Sequence, residues 1–166
     1  MKVSMPDESV ALAALSEIYQ RRYPRFLRVA EAIVGDPDVA RDVVQDAFVR
    51  LIRSRLRFRG EGSLDGWVWR TVVNTARNVR RDASKHRADD PLVEPAATNG
   101  HVVDAGLRTL LATLPERQRL VLFLRYYADL DYRAIAEVLE IQPGTVGATL
   151  NQAHSAMKRL FKEVPQ

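Results

Sequence analysis

The chain has 166 residues, 46% of them hydrophobic, with 25 Lys and Arg against 21 Asp and Glu, a formal charge of +4 and a pI near 9.7. That length buries one moderate core or two small ones, and the basic balance points toward a polyanionic partner. The absence of Cys excludes disulfides, thiolate zinc sites and cysteine nucleophiles. No apolar run reaches the ~18 residues of a membrane span, and the start, MKVSMPDESVALAAL, lacks the basic flank of a signal segment, so a cytoplasmic protein is expected.

Asp7 to Arg22 and Pro24 to Val34 predict two helices separated at Pro24, because proline disfavours helix in the residue before it. Leu15, Ile18 and Tyr19 form the apolar side of the first, and Phe26, Leu27, Ala30, Ile33 and Val34 that of the second. Gly35-Asp36-Pro37 then combines stop and start signals: a left-handed glycine, a side-chain cap and a proline at the first helical position. The helix that follows runs to about Arg55, with Ala40, Val43, Val44, Ala47, Phe48, Leu51 and Ile52 expected in the core. Asp38, Asp42, Gln45, Asp46, Val49, Arg50 and Arg53 are expected outside. Asp42 and Asp46 lack the glycine and glutamate of a calcium loop, so a protein contact or plain solvation suits them better than a metal.

Five arginines stand between Arg50 and Arg59 without one acid, followed by the loop FRGEGSLDG. A helix opening at Ser63 or Leu64 places Arg70, Asn74, Arg77, Asn78, Arg81 and Lys85 along one face, and Leu64, Val68, Thr71, Val72, Thr75 and Val79 along the other. A solvated face normally mixes signs, but here only Asp82 interrupts six cations from Arg70 to Arg87, which favours nucleic acid. Trp67 stands at the margin, either a half-buried packing residue or a wedge for an unpaired base. Trp69 points elsewhere and is expected to be structural.

Residues 89–106, DDPLVEPAATNGHVVDAG, carry four acids, no Lys or Arg, two prolines and two glycines, and no periodicity, as in a linker. Residues 1–88 hold 17 basic and 11 acidic side chains, net +6, whereas residues 107–166 hold 8 and 6, net +2. The expectation is an all-α chain of two small helical domains, 1–88 and 107–166, on a flexible tether. In the second domain Leu107 to Leu114 and Pro115 to Tyr127 predict helices, with Leu110, Leu111, Leu114, Val121, Phe123 and Leu124 available for packing.

Tyr132 to Glu140 places Ile135, Ala136, Val138 and Leu139 on one side of a short helix. After Gln142, Pro143 opens another, in which Val146, Leu150, Ala153, Met157 and Leu160 form an apolar stripe. Gly147, Ala148, Asn151, Gln152 and Ser155 are expected to face outward. Two helices crossing over so short a turn, with a small polar outer face, suit the major groove. Asn151 and Gln152 carry amides able to bond adenine in bidentate fashion, and Thr145 and Ala148 are small enough for a thymine methyl.

The segments DPDVARDVVQDAFVRL, LDGWVWRTVVNTARNVRR, LPERQRLVLFLRYYADLDYRAIAEVL and PGTV, in this order and spacing, resemble those of the bacterial extracytoplasmic-function (ECF, group IV) sigma factors. The resemblance covers nearly all of the chain. It implies a sigma region 2 helical bundle over 1–88, a linker over 89–106 threading toward the polymerase active centre, and a sigma region 4 helix-turn-helix over 107–166. It implies a detachable RNA polymerase subunit, not an enzyme, that brings core polymerase to promoters and helps melt the minus-10 region. On that basis Asp42, Gln45, Asp46, Val49 and Arg53 are assigned to the polymerase clamp. Arg57, Arg59, Trp67, Arg70, Asn74, Arg77, Asn78 and Arg81 are assigned to minus-10 DNA, with the loop from Arg57 to Asp65 as the segment that holds a flipped base. Thr145, Gly147, Ala148, Asn151, Gln152 and Lys158 are assigned to minus-35 DNA.

Two departures from the family pattern matter. Many members have Asp where this chain has Asn78, and members commonly carry basic residues at the positions of Gly147, Thr149, Gln152 and His154, so weak minus-35 binding is expected. The expected partners are core polymerase (clamp and flap) and promoter DNA, with an anti-sigma factor left open. A stand-alone helix-turn-helix regulator leaves the N-terminal basic stripe unused, and a polymerase-binding adaptor need not read promoters. An enzyme fits least: His86, His101 and His154 are isolated, and there is no phosphate loop or metal-ligand pair. No cofactor and no metal are expected.

Overall fold

The computed structural model describes residues 8–60, 62–89 and 110–163, and all regular structure among them is helical. The chain divides into two units, Met1–Glu94 and Pro95–Gln166. Helix α3 ends at Asp89. From residue 90 onward the expected linker lies outside the described residues, as does the expected helix start at Leu107.

The first unit is a three-helix bundle of α1 (Glu8–Val34), α2 (Pro37–Ser54) and α3 (Leu64–Asp89), each packed on the other two. A short 3₁₀ turn, Arg55–Arg57, extends α2. The two helices expected around Pro24 are one continuous helix, with Pro24 inside α1. Pro24 and Gln20 are both exposed, so the carbonyl that loses its donor four residues upstream faces solvent. Side chains on both sides of the proline also share one partner. The rings of Tyr19 and Phe26 lie 4.7 Å and 5.5 Å from that of Phe48 on α2, which holds the two halves in one line. Desolvation, and then the neighbouring Tyr23 phenol, raise the Tyr19 phenol above its usual pKa.

Phe26 continues this aromatic chain to Trp69 of α3, 4.5 Å away, so one row of rings joins all three helices. Trp69 is 0% exposed, the structural role its position suggested. The stop and start chemistry between α1 and α2 is present as read. Gly35 has φ +79°, and the Asp36 carboxylate accepts from the backbone N–H groups of Asp38 and Val39 at 2.8 Å and 3.1 Å, with Pro37 first in the helix.

In the second unit, α4 (Glu116–Tyr126) buries Leu120 to Leu124, and α5 (Tyr132–Leu139) and α6 (Pro143–Glu163) form the crossing pair. Residues 110–113 form a helical turn before Leu114, which is buried. Asp131 caps α5 by accepting from the Ala134 N–H at 2.8 Å. Glu140 ends α5 in the left-handed conformation at φ 55°, and the Ile141 N–H returns to the Ala136 carbonyl at 3.0 Å. The left-handed residue of the turn is therefore Glu140, while Gly144 lies inside α6. Ile135, Ala136 and Val138 of α5 are buried, as are Val146, Leu150 and Ala153 of α6. Met157 and Leu160 are half-buried.

Candidate nucleic-acid interface

Six of the seven positions expected in the core of α2 are buried: Ala40, Val43, Val44, Ala47, Phe48 and Leu51. Ile52 is the exception, at 38% exposure. It follows Leu51 by about 100° around the helix, onto the flank that also carries Val49. Together with Leu56, 60% exposed in the 3₁₀ turn, these side chains make an apolar ridge on the outer side of the bundle. Asp42, Gln45, Asp46 and Arg53 are exposed around it. Asp46 pairs with Arg50 at 2.8 Å, an i,i+4 contact between two exposed side chains. The ridge was missed because Ile52 reads as core by residue type; its spacing of three from Val49 was the signal.

The 3₁₀ turn ends at Arg57 and delivers the chain to a loop bearing Arg59, both arginines exposed. Gly60 and Gly62 take φ +74° and +81°, which a side-chain-bearing residue adopts only with strain. Ser63 then caps α3: its hydroxyl accepts from the Gly66 N–H at 2.9 Å. On the first turn of α3 Trp67 is half-buried, its ring 5.2 Å from that of Phe58. It sits at the margin, packed on one side and reachable on the other.

Along α3 the polar face appears as expected. Asn74, Asn78, Arg81 and Lys85 are exposed, and Arg70 and Arg77 are half-buried. The Arg81 guanidinium donates to the Asn78 side-chain oxygen at 3.1 Å. The opposite face is shifted from the expectation. Val68, Val72 and Thr75 are buried, but Leu64, Thr71 and Val79 are only half-buried, and Trp69, Val73 and Ala76 complete the core. Packing on two helices at once needs a wider apolar arc than packing on one.

On α6 the groove-sized face comprises Ala148, Asn151, Gln152, Ser155 and Lys158, all exposed. Asn151 and Gln152 also line an open cleft of about 1020 Å³ shared with Thr113 and Gln118. Gly147 departs from the outward placement expected of it. It is half-buried, and a Cβ added there meets the Tyr132 ring at 3.5 Å, so it marks the crossing with α5. Thr145 is half-buried as well, and its carbonyl accepts from the hydroxyl of the buried Thr149 at 2.7 Å. His154 pairs with the Tyr126 hydroxyl. No group of three or more His, Asp or Glu among the described residues is placed to hold a metal, and no described helix is long and apolar enough to cross a membrane.

Comparison with known proteins agrees with this geometry. Sigma-70 region 2 matches residues 18–86, and Sigma-70, region 4 matches residues 105–157. The chain is 30% identical over 142 residues to the RNA polymerase sigma factor SigV of Bacillus subtilis, covering 83% of this chain and 86% of that one. It is 27% identical over 156 residues to the RNA polymerase sigma-H factor of Pseudomonas aeruginosa, covering 83% and 81%. The fold is similar to that of the sigma factor RpoE of Bartonella quintana, solved in complex with the anti-sigma factor NepR. That match has a TM-score of 0.73 at 18% identity, over 90% of this chain and 98% of the other. The two region matches fall one on each helical unit, in the order the motifs predicted, and the chain belongs to the RNA polymerase sigma factors of the extracytoplasmic-function type, which direct the polymerase to promoters.

Proposed function

We propose that the two units divide the work of promoter use within one polymerase holoenzyme, with 1–88 as the clamp-binding and minus-10 domain, 89–106 as the linker and 107–166 as the minus-35 domain. The chain acts by binding and positioning and performs no catalysis of its own, in the cytoplasm where polymerase is found. The outer side of α2 docks on the polymerase clamp through Asp42, Gln45, Asp46, Val49 and Arg53, and the exposure of Ile52 and Leu56 supports extending that surface by an apolar ridge.

The observation that carries the reading is the α3 face. Arg70, Asn74, Arg77, Asn78 and Arg81 run along one side of a helix whose other side is core, and this stripe begins at a half-buried tryptophan beside a loop bearing Arg57 and Arg59. Cations hold phosphates while an aromatic face accepts an unstacked base, the pairing that a melted strand requires. Unstacking costs a few kcal/mol, which those contacts offset. On α6, Thr145, Gly147, Ala148, Asn151, Gln152 and Lys158 contact minus-35 DNA, with Asn151 and Gln152 reading bases and Gly147 near the edge of the contact. The Bartonella quintana sigma factor is bound to an anti-sigma factor, which supports a partner of that class for this chain.

The test is reconstitution. Purified chain added to core polymerase directs initiation from a promoter that the wild-type holoenzyme selects from a random-sequence library, and permanganate detects melted thymines in its minus-10 region. Transcription by core alone at the same start site rules the reading out.

A further inference from the structure

The loop preceding α3 is held mainly at its ends. Its backbone leaves the 3₁₀ turn with the Phe58 N–H on the Arg55 carbonyl at 3.2 Å and enters α3 with the Trp67 N–H on the Ser63 carbonyl at 3.0 Å. Among the described residues Arg59, Gly60 and Gly62 make no hydrogen bond between these anchors. Gly60 and Gly62 hold left-handed backbone in the loop, which glycine adopts without strain. The Phe58 and Trp67 rings pack together and join the upstream end of the loop to the first turn of α3.

At the downstream end stands Arg22 as well. Its Nη1 lies 2.9 Å from Asp65 Oδ2, joining the middle of α1 to the first turn of α3, and the two side chains are only 27% and 32% exposed. The pair is less exposed than the Arg41–Asp38 and Arg50–Asp46 pairs within α2. Arg21, one residue earlier, pairs within its own helix with Glu17, and both are about two-thirds or more exposed. The space beside the Arg22–Asp65 pair is an open cleft of about 350 Å³, bordered by Ile18, Ser63 and Leu64, instead of packed core. An ion pair thus supplies the tie between α1 and the start of α3 where apolar packing is incomplete. Asp65 also carries negative charge in the first turn of α3, where the helix dipole favours it.

We propose that Arg22 is a positioning residue for promoter opening: through Asp65 it anchors the start of α3, and so sets where the 57–65 loop and Trp67 meet the melted strand. This rests on the reading of the loop and stripe as the minus-10 surface. Arg22 touches no DNA in this scheme. Its loss leaves the bundle standing on its aromatic row and loosens the loop's downstream anchor.

The experiment uses the full chain with core polymerase and the library-selected promoter, comparing Arg22→Ala, Asp65→Ala, Arg22→Lys and the exchanged pair Arg22→Asp with Asp65→Arg. Permanganate reactivity reports opening; core affinity and the unfolding midpoint are measured on the same preparations. Each Ala variant lowers opening about fivefold, the size that coupling between contacting charges implies, with core affinity and midpoint close to wild type. Arg22→Lys retains more opening than Arg22→Ala, and the exchanged pair recovers more than either Ala variant. The proposal is overturned if Arg22→Ala opens the promoter normally, if neither Arg22→Lys nor the exchanged pair recovers opening, or if lost opening follows a fall in midpoint and core affinity. Trp67→Ala separates the two levels. If it too opens normally, the minus-10 reading fails; if it is defective while Arg22→Ala is normal, only the positioning role fails.

Discussion

The Tyr126 hydroxyl lies 2.9 Å from Nε2 of His154, across 28 residues of chain, and ties α4 to the middle of α6. Their rings tilt against each other at 5.9 Å. His154 is thereby engaged within the protein. In the proposed minus-35 contact, phosphate grip on this helix falls to Lys158, which is exposed nearer its end. We expect His154→Ala to cost about 1 kcal/mol, the worth of one exposed hydrogen bond, and to leave the salt dependence of minus-35 duplex binding by holoenzyme unchanged. Lys158→Ala lowers that slope by about 0.9 in log–log terms. A salt titration of both variants checks the pair of outcomes, and a flattened slope for His154→Ala contradicts the first.

The clamp face yields a second prediction. Asp42→Arg with Asp46→Arg reverses two exposed charges and breaks the exposed ion pair of Asp46 with Arg50, worth less than about 1 kcal/mol at that exposure. Helicity by circular dichroism stays at the wild-type level while affinity for core polymerase falls at least about tenfold, as for residues central to an interface. Ile52→Asp is expected to weaken core binding in the same assay. Wild-type affinity in all variants removes the face from the interface.

For α3, Asn74→Ala with Arg77→Ala deletes two polar groups from the stripe without touching Trp69 or Val73. The double variant retains core binding and loses permanganate reactivity in the minus-10 region. If thymines there react as strongly as with wild type, the stripe is a solvated surface only.

Gly147 gives a prediction about stability. Glycine in a helix interior costs about 1 kcal/mol relative to alanine, and a Cβ at this site meets the Tyr132 ring at 3.5 Å, an ordinary contact distance. Gly147→Ala therefore raises the unfolding midpoint of the C-terminal unit, measured calorimetrically on the full chain. A lower midpoint means that the ring is too confined to accept even one methyl.

Most of the fold was legible because local signals agreed with one another. Gly35, Asp36 and Pro37 mark a helix boundary by three independent devices, and each is used as read. The apolar stripe of α6 predicted Val146, Leu150 and Ala153 in the core. Legibility failed where the deciding contact is remote in sequence. The continuity of α1 depends on Phe48, far along the chain from Pro24, and the periodicity of α1 carries no trace of it. Glu140 in a left-handed turn carries no such local signal, because a glutamate is not a residue type that favours positive φ. At the interfaces, periodicity sorted the α3 stripe correctly but misplaced Ile52 and Gly147, because each stands on a flank where a single helix does not say which way its neighbours lie.

Pro24 bears on how the N-terminal unit assembles. A proline inside a helix is unfavourable by about 3 kcal/mol or more when the helix stands alone, so a peptide spanning residues 8–34 should not hold the continuous rod found in the bundle. The rod is expected to form once the aromatic side chains before and after the proline settle on the same partner. Formation of α1 is thus coupled to docking on α2, and the first unit has little access to a half-built state with α1 complete and undocked. A chain emerging from the ribosome reaches Pro24 before Phe48 exists, so its first helix is expected to become continuous only after its second has been made.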